Sequence, residues 1–461
     1  MQNFIKVERI EPEKRGSNAR KKDFKEIYTV FKPLDAQIQA ERCVQCGDPG
    51  CHVACPLHNF IPQWLKTTAN QDSKIAFELS NESNPFPEIT GRICPQDRLC
   101  EGNCTLQLDG YGAITIGSVE TFISENGFKK GWRPQFSDKM SDKKVAVIGS
   151  GPAGFSVATY LLRHGIKVDM FEKNSRPGGL LTYGIPSFKL EKEVVFRRFQ
   201  WLEEAGMKLF LETEVGKDIS FEELSENYDA IFIGIGAEES KRANIPGENG
   251  KGVYIAIDFL INIQKKLFNE DYDKSMNVEK KKVVVIGGGD TAMDCIRTSL
   301  REKALSVQCL YRRDAHNMPG SKKEFNNAKE EGAEFIFNVS PKEVLLDDNG
   351  NVIGIVMLKT TLSSKDESGR QRVEIVEGSE FRIDADVIIF ALGFNNTKPE
   401  FLSQNGIETD KWGGIVADEN FQTSKPFIYT GGDCFRGSDL VVTAASDGKK
   451  AAESIAKKLL G

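Results

Sequence analysis

Cys43, Cys46, Cys51 and Cys55 fall in one short stretch and Cys94, Cys100 and Cys104 in a second, so seven of ten cysteines gather early in a 461-residue chain. Their spacing is C-x2-C-x4-C-x3-C-P, then C-P-x4-C-x3-C, with Pro56 and Pro95 behind Cys55 and Cys94. Such runs suit thiolate ligation: a short loop wraps a metal centre and a remote cysteine closes its shell. Iron–sulfur clusters are the chemistry this pattern points to. The middle interval departs from the bacterial ferredoxin run, and a tetrahedral zinc site is the competing reading.

Two glycine-rich fingerprints follow. The first is Gly149-Ser-Gly151-Pro152-Ala153-Gly154 after the apolar run Val145-Ala-Val-Ile. Gly149 suits a tight turn, Gly151 close approach of a pyrophosphate, and Gly154 packing of helix on strand. The strand Lys167–Phe171 then leads into Glu172, a carboxylate placed to accept ribose hydroxyls. The second fingerprint, Gly287-Gly288-Gly289-Asp290-Thr291-Ala292, leads to a strand ending in Arg312 and Arg313 instead of an acid. Two guanidinium groups there favour a 2′-phosphate, hence NADPH over NADH; a solvated arginine pair is the alternative.

No cysteine pair accompanies these fingerprints. The loop Arg176–Pro186 has none, and Cys295 and Cys309 are too far apart for a CxxC motif and read as small buried hydrophobes. Cys434 lies beside Asp433 with no partner in sequence. A flavin here needs an acceptor other than a disulfide, which turns attention back to the early cysteines.

These residues need a framework. Val145-Ala-Val-Ile-Gly and Val283-Val-Val-Ile-Gly read as the first strands of two duplicated α/β units with parallel sheets. The cysteine-bearing segment shows little strand signal, and stretches such as Ile61 to Leu79 have helical spacing, so it reads as a mainly helical domain. The polar segment Trp132–Asp142 reads as a linker. Arg15, Arg20, Lys21 and Lys22 read as a solvated arm, with docking onto an acidic partner as the other reading. The net charge of −6 gives no support for nucleic-acid binding. No apolar run approaches the roughly 20 residues of a membrane span, and the first residues lack a signal-peptide core, so a cytoplasmic protein is expected.

Two such units resemble the two-dinucleotide-binding flavoproteins. That resemblance implies two Rossmann-like domains, FAD in the first and NADPH in the second, the NADPH domain inserted in the FAD domain. The chain would return to FAD at Thr430-Gly-Gly432-Asp433, with Val442 and Thr443 on the next helix and Gly179 and Leu180 on the loop after Glu172. The expected limits are 1–142 for the helical domain, 143–265 with 396–461 for FAD, and 266–395 for NADPH.

A narrower resemblance rests on Arg42-Cys-Val-Gln-Cys-Gly-Asp-Pro-Gly-Cys, Gly91-Arg-Ile-Cys-Pro-Gln-Asp-Arg-Leu-Cys-Glu-Gly-Asn-Cys, Gly178-Gly-Leu-Leu-Thr-Tyr-Gly-Ile-Pro, Tyr311-Arg-Arg-Asp and Arg436-Gly-Ser-Asp-Leu-Val-Val-Thr-Ala. Over essentially its whole length the chain is similar to the small subunits of bacterial NADPH-dependent glutamate synthase, whose N-terminal module also occurs in dihydropyrimidine dehydrogenase. The resemblance implies two 4Fe–4S clusters: one on Cys43, Cys46, Cys51 and Cys104, the other on Cys55, Cys94, Cys100 and Glu120. By itself Glu120 reads as a solvated helical glutamate. The resemblance further implies an electron-input subunit and an FMN-bearing large partner, with no acid–base residue assigned on this chain. Gln2 and Asn3 after Met1 offer no cysteine nucleophile, so glutamine hydrolysis is expected elsewhere. Rival readings are an NADPH–ferredoxin oxidoreductase, a bifurcating-complex subunit, a stand-alone ammonia-dependent form, and a scaffold with inactive sites.

Overall fold

The computed structural model describes residues 3–364 and 371–461. Met1 and Gln2, on which the glutaminase expectation bears, lie outside the described residues. The N-terminal domain packs helices Pro33–Glu41, Ile61–Ala69, Ser73–Ser83, Pro87–Ile93 and Ile116–Lys129 around Trp64, Phe77, Val119 and Ile123. The helical run from Ile61 to Leu79 is two helices. The chain turns at Gln71 (φ +63°), and Asp72 restarts it by accepting the Ile75 N–H at 3.4 Å. The cysteines sit on the turns between helices. Cys94 ends Pro87–Ile93, Cys51 lies in the short turn Gly50–Val53, and Cys104 opens Thr105–Leu108.

The first parallel sheet joins β1 (Lys144–Ile148), β2 (Lys167–Phe171), β3 (Lys208–Phe210), β4 (Ala230–Ile233) and β16 (Ile428–Thr430) in the order β16-β4-β1-β2-β3. The second joins β6 (Val253–Ile255), β7 (Lys282–Ile286), β8 (Ser306–Tyr311), β9 (Glu334–Phe337) and β14 (Val387–Phe390) in the order β6-β14-β7-β8-β9. In β1, Val145 and Val147 face one core while Ala146 and Ile148 face another. Likewise Val283 and Val285 lie opposite Val284 and Ile286 in β7. Strands covered on both faces give unbroken apolar runs, which is why both were visible in sequence. Strand order reverses beside β1 and beside β7, and in such sheets ligands bind at the carboxyl ends of strands at that point.

The units join through β5 (Glu239–Ser240) and β15 (Phe394–Asn395), which pair antiparallel. The second unit also carries the antiparallel strands β10 (Val339–Leu346), β11 (Val352–Leu362), β12 (Val373–Ile375) and β13 (Phe381–Ile383). The boundary expected at 265/266 falls earlier. Strand β6 pairs with β14, and helix Ala256–Phe268 packs in the second core, so both belong to the second unit. A three-residue strand carries too little pattern to reveal this.

Of the basic arm, Arg20 is docked on the chain itself, while Lys22 is exposed and Arg15 pairs with nearby Asp23. Arg20 is buried, with Nη2 2.8 Å from Glu330 and Nε 2.8 Å from buried Glu331, while Lys14 Nζ lies 2.6 Å from Glu330. The acidic partner is thus the second unit's helix Lys322–Glu330 and the residue after it. The helical domain is fixed to the first unit by buried Glu88 and Arg198 (Nε to Oε1, 2.7 Å), by Ser446 donating to the Pro56 carbonyl at 2.9 Å, and by a shared core including Leu57, Phe86 and Phe155. Among the described residues no helix is long and apolar enough to cross a membrane.

Candidate functional site

Gly149 ends β1 with φ +94°, and a Cβ there would come within 2.5 Å of the Gly234 carbonyl. Only glycine makes that turn without strain. Gly287 repeats the constraint after β7, at φ +145° and 2.3 Å from the Ala391 carbonyl. Each turn delivers the chain to a helix, Pro152–Arg163 or Asp290–Arg301, whose first N–H groups and dipole favour an anion. At Gly151 and Gly289, the residues that cap these helices, a Cβ would meet nothing within 4 Å. Both helix starts therefore leave room for a phosphate.

Both starts open into one cavity of about 720 Å³. Its wall includes Gly149, Gly151, Pro152, Ala153, Glu172, Gly179, Leu180 and Asp433 from the first unit, and Gly289, Asp290 and Thr291 from the second. Gly154, Gly432, Val442, Thr443, Gly287, Gly288, Arg312 and Arg313 are not on this wall. Gly154 and Gly432 act through packing: a Cβ at Gly154 would lie 2.0 Å from the Gly149 carbonyl, and one at Gly432 2.9 Å from Ala153. Arg312 and Arg313 follow the end of β8; Arg312 is exposed and Arg313 donates to the Gln371 carbonyl at 3.2 Å. Cys295 and Cys309 are fully buried, as their reading as small hydrophobes expects.

Glu172 is nearly buried and already busy. Its carboxylate accepts from the Ser150 N–H (3.1 Å) and hydroxyl and from the Asn174 N–H (2.9 Å) and side-chain amide (2.7 Å). A carboxylate has about four acceptor sites, so a ribose hydroxyl would have to replace one of these donors. Burial pushes the Asp433 carboxyl up to about 7, Asp439 and Asp447 adding to the rise. A half-neutral acid repels a phosphate less than a full carboxylate does. Lys192 is buried and donates to the Leu181 and Ile185 carbonyls, both on the cavity wall; burial lowers its ammonium to about 7. Lys189 donates to Asp294 at 2.9 Å, joining the units across the cavity. The Lys189–Asp294 contact leaves no signal in the sequence, because it joins residues of different units.

The cysteines divide into two groups in space. Burial first and then the charges of Cys104, Cys43 and Cys46 push Cys51 up to about 12. Cys94 is raised by burial and then by Glu120 and Cys55, and Cys100 by burial and then by Glu101, Cys55, Cys94 and Glu120. Cys55, Cys94, Cys100 and Glu120 line one small void together with Val442. Far from being solvated, Glu120 is buried and accepts from Asn59 (2.5 Å), Asn84 (3.2 Å) and Thr90 (3.2 Å); burial pushes it up to about 7. Thiols and a carboxylate gathered around a void are a donor set that suits an iron–sulfur cluster. Among the described residues no three His, Cys, Asp or Glu side chains are grouped as a site for a single metal ion. None of the ten cysteines forms a disulfide. Cys94 lies on the walls of both the void and the large cavity.

Comparison with known proteins matches residues 20–132 to dihydropyrimidine dehydrogenase domain II, 4Fe-4S cluster, and residues 143–448 to pyridine nucleotide-disulphide oxidoreductase. The glutamate synthase [NADPH] small chain of Escherichia coli K12 is 48% identical over 98% of this chain and 97% of its own, and that of Halomonas elongata 49% over the same shares. The chain belongs to the glutamate synthase [NADPH] small-chain family. Within the small-chain family's wider kinship, the putative oxidoreductase AegA of E. coli K12 is 48% identical over 97% of this chain and 69% of its own length. Among solved structures, Mycobacterium tuberculosis FprA in complex with NADPH superimposes with a TM-score of 0.58 at 22% identity, covering 69% of this chain and 85% of that one. That likeness shows the shared two-domain dinucleotide-binding fold.

Proposed function

We propose that this oxidoreductase is the electron-input subunit of a glutamate synthase. It oxidises NADPH at FAD and passes electrons through two 4Fe–4S clusters to a large FMN-bearing subunit, which makes two glutamates from glutamine and 2-oxoglutarate. The observation that carries the reading is the single cavity bounded by both fingerprints, with Cys94 on its wall and on that of the cysteine-lined void. A flavin bound there would supply the exchange between two-electron and one-electron chemistry.

This chain's residues do the placing. The helix beginning at Pro152 would hold the FAD pyrophosphate, Glu172 the adenosine ribose, and Asp433 the ribityl side. The helix beginning at Asp290 would hold the NADPH pyrophosphate, with Arg312 and Arg313 at its 2′-phosphate. Cys43, Cys46, Cys51 and Cys104 would hold one cluster; Cys55, Cys94, Cys100 and Glu120 would hold the other, and of these Cys94 also lines the cavity. Lys192 fixes the Leu181–Ile185 turn against the cavity, and the buried Glu88–Arg198 pair holds the helical domain in place on the first unit.

Co-purification tests the assignment. A large FMN protein should accompany the chain, and the pair should oxidise NADPH only with glutamine and 2-oxoglutarate present. Another acceptor is the rival: NADPH oxidation coupled to a ferredoxin, indifferent to glutamine, would replace this reading.

A further inference from the structure

Arg98 belongs to the loop between Cys94 and Cys100, yet its side chain leaves the helical domain. Its Nη1 donates to the Pro319 carbonyl at 2.8 Å, and its Nη2 lies 3.3 Å from Asp290 Oδ2. Asp290 is the first residue of helix Asp290–Arg301, and its other oxygen accepts the Ser321 N–H at 2.9 Å. Arg98 lines the large cavity beside Gly289, Asp290 and Thr291.

This arrangement answers an electrostatic problem. A helix start that receives a pyrophosphate should carry no bare negative charge, and the first unit places uncharged Pro152 there. The second unit places a carboxylate. A dinucleotide's two phosphate charges would be repelled by Asp290 unless a cation stood close by. The second unit's own Arg312 and Arg313 are not on the cavity wall, and of the wall's other cations Lys189 is held by Asp294, Lys173 by Glu238, and Lys398 lies along Gly413, away from the helix start. Arg98 is the guanidinium that touches the helix start. Its planar fork has five N–H donors, so it can keep Asp290 and still reach a phosphate oxygen.

We propose that Arg98 is a dinucleotide-binding residue supplied by the iron–sulfur domain, its guanidinium contacting the pyrophosphate of bound NADP(H). The inference rests on the reading of the second fingerprint as the NADPH site. It makes nucleotide binding a direct contact of the loop that carries Cys94 and Cys100.

Calorimetric binding of NADP+, NAD+ and adenosine 2′-monophosphate to the cofactor-loaded chain tests it. Arg98→Gln should weaken NADP+ and NAD+ alike, by about tenfold for a lost charge-assisted bond, and leave adenosine 2′-monophosphate unchanged. Arg98→Lys should recover part of the loss. Arg312→Ala with Arg313→Ala should show the opposite selectivity, losing NADP+ and adenosine 2′-monophosphate while sparing NAD+. Unchanged iron content and flavin absorbance in Arg98→Gln would show that the chain is intact. Dinucleotide affinities within twofold of the parent, or an equal loss of adenosine 2′-monophosphate, would overturn the proposal. A double arginine variant that still binds NADP+ normally would instead remove the nucleotide reading beneath it.

Discussion

At Arg312 and Arg313 the chain departs most plainly from the first unit, which has Glu172 at the corresponding strand end. Replacing both arginines by alanine should raise KM for NADPH by about tenfold or more while leaving NADH nearly untouched, as steady-state kinetics with an artificial acceptor would record. Equal losses for both nucleotides would deny them the 2′-phosphate. Glu120 gives a second test at this scale. Its three neutral hydrogen-bond donors hold the carboxylate at the void shared with Cys55, Cys94 and Cys100. Glu120→Ala should change the EPR spectrum and potential of one cluster and leave the other as it was; unchanged spectra would remove it as a ligand. Lys192 gives a pH test. Its ammonium falls from 10.5 to about 7 on burial, so between those values the unfolded chain binds more protons than the native one. Stability therefore rises as pH climbs from about 7 toward 10, by a few kcal/mol at most, and the cost is fully present below pH 7. Lys192→Met should flatten that rise in denaturation curves, and a parallel slope in the variant would contradict the assignment.

At the scale of elements, the turns between short helices carry the cysteines and the strand–glycine–helix turns open into the cavity. Cys46→Ala should lower iron from about eight to about four per chain, yet leave flavin reduction by NADPH intact, as metal analysis and anaerobic absorbance would show. Zinc in place of iron would overturn the cluster reading. The glycine turns were legible in sequence because buried parallel strands give unbroken apolar runs and the turns tolerate few residues but glycine. The grouping of Cys104 with Cys43, and of Cys55 with Cys94 and Cys100, was reachable only through resemblance, since spacing does not say which loops meet. Glu120 was illegible for the same reason: its burial comes from Asn59, Asn84 and Thr90 on other segments. The boundary expected at 265/266 fell late because β6, which pairs with β14, is three residues long. The basic arm looked solvated because Glu330 and Glu331, which bury Arg20, lie some three hundred residues away in sequence.

For the whole molecule, the helical domain, the two α/β units and the N-terminal arm are tied by buried ion pairs, so their relative placement is built into the packing. Arg198→Met should strand buried Glu88 and cost about 3–5 kcal/mol, seen as a lower Tm. The most direct test of the central claim, that electrons enter from NADPH and reach the clusters through a flavin, is an anaerobic titration of the purified chain with NADPH near neutral pH, followed by absorbance and EPR. The account predicts that the flavin bleaches and that reduced-cluster signals then grow in. A flavin that stays oxidised in excess NADPH, or bleaches while no cluster accepts an electron even with a reoxidising partner present, would contradict it.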